Sequence, residues 1–262
     1  MSDAIQAVIS DLDGVVYRGH ALIPGAAEAI RNWAALGIPY IFVTNNSVGS
    51  AAYFAEKLSA LGIPVSADQV ITTVEATARH IGRNFTPGVR TYVIGAPALT
   101  EAVAATGAEV VDSADADLLV LGTDYGLTFD KLRIAVQAIL GGATVIATNP
   151  DRIAPMESGF EPCVGSILAV LTTAVPTLVP VIMGKPSPLM IEEALRRLGT
   201  ARGHTIMVGD QIATDIRAGE AAGLRSFLIT TGVPVGADAA TGTHRIIDSL
   251  SEIEVVPAEA AA

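Results

Sequence analysis

The chain has 262 residues, half of them hydrophobic, with 16 Lys plus Arg against 27 Asp plus Glu and a formal net charge of -11. That length supports a sizeable core in one large or two modest domains, and the acidic balance repels a phosphate backbone, which argues against a nucleic-acid partner. The lone Cys163 excludes an internal disulfide and reads as a buried small hydrophobe rather than a nucleophile. Aromatics are only 5%, so the buried volume comes from Ala, Val, Ile and Leu, which suits parallel strands covered by helices on both faces.

Met1-Ser2-Asp3 lacks the positive region of a secretory signal. The uncharged stretch 162–184 is broken by Pro176 and Pro180, so it reads as a buried helix, a turn and a strand rather than a membrane span. The expectation is a cytoplasmic protein with no membrane partner. The opening strand, Ala7-Val8-Ile9-Ser10, runs into Asp11-Leu12-Asp13-Gly14-Val15. On a regular strand alternate residues face one side, so Asp11 and Asp13 share a face at its carboxyl end, and Gly14 lets the backbone approach a ligand closely.

A helix over 26–36 closed by Gly37 leads to a strand over 40–43, making a βαβ unit whose second strand ends in Thr44-Asn45-Asn46-Ser47. A helix over 51–61 stops at Gly62, a short strand follows at 70–71, and a helix at 74–81 leaves it. From Arg90 the pattern restarts: strand 91–95, helix 99–105, strand 117–121, helix 129–140, strand 144–148. About a hundred residues with their own strands and helices form an independent core. The expected organisation is therefore a core domain over 1–75 and 183–262, interrupted by an inserted smaller α/β domain over 76–182. The core resumes with Gly184-Lys185-Pro186, helix 189–198, strand 205–208, Gly209-Asp210-Gln211-Ile212-Ala213-Thr214-Asp215, helix 216–222 and strands 225–229 and 244–247. The Ala-rich end 258–262 is expected to fray. The fold class is thus α/β, a doubly wound parallel sheet with a smaller α/β insertion.

Asp11/Asp13, Thr44/Asn45, Lys185 and Asp210/Asp215 all fall at strand ends or just beyond them, the rim where open α/β sheets bind ligands. Taken singly, each has an ordinary structural role: a polar turn, a solvated charge, a helix cap. Together, several carboxylates near one point need a cation, and hard oxygen donors suit Mg²⁺. Lys185 and the Thr44 hydroxyl suit phosphoryl oxygens, and an aspartate can form an acyl phosphate. The four histidines, His20, His80, His204 and His244, show no ligand spacing.

Asp11-Leu12-Asp13-Gly14-Val15, Thr44-Asn45-Asn46, Gly184-Lys185-Pro186 and Gly209 through Asp215 resemble, in order, the four motifs of haloacid dehalogenase (HAD) superfamily hydrolases, in the NagD-like branch (subfamily IIA) whose members carry a C2-type α/β cap. The resemblance covers nearly the whole chain and implies a Rossmann-like core with a cap over the site. It implies Asp11 as nucleophile and Asp13 as acid and base, with Thr44 and Lys185 completing the catalytic set. Mg²⁺ would be held by the Asp11 carboxylate, the Asp13 carbonyl and Asp210, with Asp215 on a metal-bound water. Gly14, Thr44, Asn45, Asn46 and Lys185 would surround the phosphoryl group, and Asn149 and Asp151 of the cap would line the entrance above it. The implied substrate is a small phosphorylated metabolite of sugar, polyol or glycolate type. Pyridoxal phosphate phosphatases of this branch carry a His three residues past the equivalent of Asp151; here Ala154 stands there, which argues against that substrate. Competing readings are a non-hydrolytic phospho-acceptor, a dehalogenase, and a protein that senses a phosphorylated metabolite. Whether the chain forms a homo-oligomer stays open.

Overall fold

A computed structural model describes residues 4–232 and 244–258; the far end of the stretch expected to fray, from 259 on, lies outside them. In chain order the elements are β1 (Ala7–Ser10), β2 (Tyr17–Arg18), β3 (Ala21–Leu22), α1 (Ala26–Ala35), β4 (Tyr40–Thr44), α2 (Ala51–Ala60), β5 (Val70–Thr72) and α3 (Thr73–Asn84). Then come β6 (Arg90–Ile94), α4 (Pro97–Ala104), β7 (Glu109–Val111), β8 (Leu118–Leu121), α5 (Phe129–Leu140), β9 (Thr144–Ala147), β10 (Ile153–Met156), β11 (Gly159–Pro162), α6 (Val164–Ala174) and β12 (Val181–Ile182). The last third holds α7 (Leu189–Leu198), β13 (Thr205–Gly209), a π-helical turn (Ile212–Ile216) running into α8 (Arg217–Ala221), β14 (Arg225–Ile229) and β15 (Arg245–Ile247).

Two parallel sheets organise the chain. The first has strand order β15-β14-β13-β1-β4-β5 and the second β12-β9-β8-β6-β7. Strand β1 lies centrally in the first, pairing Ala7 with Thr205 on one side and Val8 with Tyr40 on the other. Its residues are all buried because both faces are covered. Val8, Phe42, Ile206 and Val208 face Ile30 and Trp33 of α1 and Phe54 and Leu58 of α2. The alternate residues Ile9, Ile41, Val43 and Met207 face Ile191, Ala194 and Leu195 of α7 and Ala218 of α8. Period-2 alternation, read as two buried faces, is what makes this sheet doubly wound.

The second sheet repeats the plan at smaller scale. Tyr92, Ile94, Leu119 and Val145 pack against Ala135 of α5 and Leu171 of α6, while Leu118, Val120 and Ile146 pack against Ile81 of α3 and Leu99 and Val103 of α4. It is the smaller α/β insertion, a cap on the first sheet's rim. Local sequence sets the helix ends: Ser50, Thr72 and Thr128 accept backbone N–H bonds from Tyr53, Glu75 and Lys131 and so start α2, α3 and α5. Gly199, at φ 66°, closes α7 in the left-handed region.

Several expectations need correction. The uncharged stretch 162–184 does not hold a buried helix: α6 buries only Val164, Gly165 and Leu171, and Val170 is 48% exposed. Among the described residues no helix is long and apolar enough to cross a membrane. Strand β7 and the hairpins β2–β3 and β10–β11 were not foreseen, because their short runs carry no alternation that a periodicity reading detects. Helix 216–222 is shorter and is preceded by the π-helical turn, which draws Thr214, Asp215 and Ile216 inward.

Candidate active site

Strand β1 ends at Ser10, one residue before Asp11. The expectation that Asp11 and Asp13 share a strand face therefore has the wrong cause, although both do reach one cavity. The chain instead turns, and the Leu12 carbonyl accepts bonds from the N–H groups of Val15, Val16 and Tyr17. Gly14 sits in that turn at φ 84°, where a Cβ would come within 2.5 Å of Asp210 Oδ2; a side chain here would be strained and would fill the acid's space.

Lys185 is 1% exposed and holds two carboxylates at once: its Nζ lies 2.7 Å from Asp11 Oδ1 and 2.6 Å from Asp215 Oδ1. The π-helical turn makes the second contact, since it aims Asp215 inward while Asp215 Oδ2 accepts the Gln211 N–H at 3.0 Å. Burial disfavours the ammonium, but Asp11 and Asp215 outweigh it and hold Lys185 above its usual range, so it stays charged. Burial pushes Asp11 well above the usual carboxylate range; Lys185 opposes this, while Asp215 and Asp210 add to it. Oxygen atoms of Asp11, Asp210 and Asp215 lie within 4.8 Å of one another. Three buried carboxylates with one ammonium leave excess negative charge, and their hard oxygen donors fit a divalent cation.

Asp13 lies across the turn, its Oδ2 3.5 Å from Asn46 Nδ2. Burial raises its carboxyl above the usual range against the pull of Lys57 and the Asn46 bond. The loop after β4 folds on itself: Thr44 Oγ1 accepts the Asn46 N–H at 3.0 Å, and Asn46 Oδ1 accepts the Val48 N–H at 3.0 Å. Asn45 joins core and cap. Its Oδ1 accepts the Lys185 N–H at 2.8 Å, its Nδ2 donates to Asp151 Oδ2 at 2.9 Å, and its carbonyl accepts from Asn149 Nδ2 at 2.6 Å and Thr73 Oγ1 at 3.2 Å. Burial moves Asp151 up to about 6, with Asn45 and Lys185 opposing.

One cavity is lined by Asp11, Asp13, Thr44, Asn45, Asn46, Asn149, Asp151 and Lys185, which brings the expected side chains together. Asp210 and Asp215 are not on that lining but sit behind Asp11 in the carboxylate cluster. Sequence reasoning missed Thr123, Tyr125 and Glu161 on the cap side. Tyr125 and Glu161 carried no signal, being an exposed loop residue and a residue of an unforeseen hairpin. Ser47, next to the polar cluster, could have pointed to the docking: its Oγ accepts the Thr123 N–H at 2.8 Å. Cys163 also lines the cavity and is half-buried, not buried as expected; burial pushes its thiol up to about 12, which leaves it protonated.

Comparisons with known proteins agree with this geometry. Residues 8–109 match the haloacid dehalogenase-like hydrolase family model, and residues 182–253 match a second model of HAD-hydrolase-like proteins. The chain is 40% identical to the 5'-nucleotidase YutF of Bacillus subtilis over 246 residues, 92% of this chain and 94% of that protein. It is 37% identical to an acid sugar phosphatase of Staphylococcus saprophyticus over 87% of each. Among solved structures, a glycerol phosphate phosphatase from Mycobacterium tuberculosis in complex with magnesium superposes with a TM-score of 0.83 at 32% identity, covering 95% of this chain and 76% of that one.

A doubly wound core, a cap on its rim and a carboxylate cluster behind a lysine define a capped α/β hydrolase of phosphoric monoesters. The chain belongs to the haloacid dehalogenase-like hydrolases, in their NagD-like branch.

Proposed function

We propose that the chain is a Mg²⁺-dependent phosphatase that hydrolyses small phosphate monoesters of sugar, polyol or glycolate type through an aspartyl-phosphate intermediate. In this reading the core is residues 1–75 and 183–262 and the cap residues 76–182. The observation that carries it is the Lys185 ammonium wedged between Asp11 and Asp215 at the floor of the cavity, since a buried cation beside a buried carboxylate is what an attacking aspartate and an incoming phosphoryl group both require.

The chemistry has two steps. An Asp11 oxygen attacks phosphorus, the bond to the ester oxygen breaks, and Asp13 gives that oxygen its proton; the raised position of the Asp13 carboxyl suits an acid. Asp13, now a carboxylate, takes a proton from water as that water attacks the acyl phosphate, which releases inorganic phosphate and frees Asp11. Lys185, Thr44, Asn46 and the backbone at Gly14 and Asn45 hold the phosphoryl oxygens. Asn149 and Asp151 close the cavity from the cap. The Asp11 carboxylate, the Asp13 carbonyl and Asp210 would hold Mg²⁺, with Asp215 beside it, and the ion would supply charge neutralisation and Lewis acidity at the phosphoryl group.

The test is phosphate release from p-nitrophenyl phosphate and a panel of sugar and polyol phosphates, with Mg²⁺ and after EDTA. Turnover that depends on Mg²⁺ supports the reading. Stable phosphorylation of Asp11 without release makes the chain a phospho-acceptor, and binding without phosphorylation makes it a sensor.

A further inference from the structure

The cavity has two unlike ends. The core supplies Asp11, Asp13, Thr44 and Lys185 at the phosphoryl end, so whatever the phosphate is esterified to meets the cap wall, made by Thr123, Tyr125, Asn149, Asp151, Ile153 and Glu161. That wall carries two carboxylates. Among the described lining residues the one basic side chain is Lys185, and it is committed to Asp11 and Asp215.

No other cation among the described residues is on the lining: Arg152, between Asp151 and Ile153 in the chain, and Lys57, which pulls on Asp13, both lie off it. Lys131 pairs with Asp124 at 2.6 Å, the Lys57 ammonium lies 3.5 Å from the centre of the Tyr17 ring, and Arg18 Nε donates to the Thr231 carbonyl at 2.6 Å. Glu161 is fixed in place: it pairs with Ala154 across the β10–β11 hairpin, and its Oε1 accepts the Tyr125 hydroxyl at 2.9 Å. Burial and that bond push the Tyr125 phenol up to about 12, so Tyr125 remains a donor and Glu161 an acceptor.

We propose that Glu161, with Asp151, makes the leaving-group end of this cavity selective for uncharged polyhydroxy leaving groups and against leaving groups that carry a carboxylate or a second phosphate. The inference rests on the phosphatase reading and narrows it: neutral sugar and polyol phosphates fit, and glycolate phosphate does not. The warrant is like-charge repulsion at the open, cap-side end of the site, where juxtaposed anions discriminate between otherwise similar partners. The Thr123 hydroxyl on the wall can serve a substrate hydroxyl as donor or acceptor.

A matched pair of esters tests it: sn-glycerol 3-phosphate and 3-phosphoglycerate, which differ by a hydroxymethyl against a carboxylate. With Mg²⁺ at low ionic strength, the wild-type kcat/KM should favour the glycerol ester by about tenfold or more, and added salt should narrow the preference. Glu161→Gln keeps an acceptor for Tyr125 and should cut the preference by at least about fivefold. Glu157→Gln, a charge on the same hairpin but off the cavity lining, should leave the preference in place. A wild-type ratio near one, or equal shifts in the two variants, overturns the inference while the phosphatase reading stands. The wild-type ratio and its salt dependence decide the matter even if Glu161→Gln folds poorly. No turnover of either ester or of p-nitrophenyl phosphate overturns the phosphatase reading itself, and this inference with it.

Discussion

Replacing Asp151 by Asn should stabilise the protein at neutral pH and have no effect in acid. Asp151 sits where burial moves its carboxyl from 3.8 up to about 6, so the folded chain binds its proton more tightly than the unfolded chain does. Stability therefore falls as pH rises from about 4 to about 6 and is flat above, the reverse of an ion-paired carboxylate. A shift of about two units corresponds to about 3 kcal/mol; the edge of Asp151 that faces the cavity is screened by solvent, which brings the expected cost to about 2 kcal/mol. Asn keeps the bond, because its Oδ1 accepts from Asn45 Nδ2 as Asp151 Oδ2 does at 2.9 Å. The assay is thermal or urea unfolding of both proteins in EDTA at pH 7.5 and pH 4.5. For a chain of this length the variant should melt about 4–8 °C higher at pH 7.5 and together with wild type at pH 4.5. Other carboxylates titrate alike in both proteins, so the difference isolates this one. An Asn variant that gains nothing at pH 7.5, or gains equally at both pH values, refutes the argument that burial sets the Asp151 proton affinity.

Asp11→Asn should fold and bind phosphate esters but lose turnover to about a hundredth or less, since an amide is a poor nucleophile; steady-state assays returning more than a few per cent would remove Asp11 from that role. Lys185→Met leaves Asp11 and Asp215 buried without their ammonium and should cost about 3–5 kcal/mol in EDTA. Saturating Mg²⁺ should restore much of that stability but not kcat, and full recovery of kcat would reduce Lys185 to charge balance. Asp13→Asn should give a burst of nitrophenolate near one equivalent from p-nitrophenyl phosphate, whose leaving group needs little protonation, followed by a stall. Alkyl esters should show no burst, and rapid-mixing traces without a burst from either ester would take the acid and base role from Asp13.

The floor of the site was legible because polar residues there interrupt apolar runs. Asp11, Thr44 and Asp210 each follow or end a buried strand, and their burial makes them as conspicuous in the fold as in the sequence. Asp13 lines the cavity through the turn around the Leu12 carbonyl and not through strand parity. Of the cap wall, Asn149 and Asp151 were legible through the resemblance, and the rest was not. Ile153 to Pro162 holds two prolines and no alternation, and it becomes a hairpin only through its own cross-strand pairing. Glu161 of β11 and Tyr125 of the loop after β8, distant in sequence, meet through the Tyr125 hydroxyl's bond to Glu161, a tertiary contact with no local period. The inward aim of Asp215 likewise depends on a π-helical turn that apolar spacing does not distinguish from an ordinary helix start.

The order in which the strands are joined bears on how the molecule comes off the ribosome. Strand β1 needs β13 as its inner neighbour, pairing Ala7 with Thr205, whereas every strand of the cap sheet lies between Arg90 and Ile182. During synthesis the cap can therefore complete its sheet while β1 still presents an open edge and β1 and β4 have half-covered apolar faces. Closing that long loop is the slow, entropically costly event, and until it happens the exposed edge is the part of the nascent chain most prone to wrong pairing. It also means that Asp11 has neither Lys185 nor Asp210 beside it until the last third of the chain has emerged. A growing polypeptide of this design holds no working hydrolase until its final strands arrive.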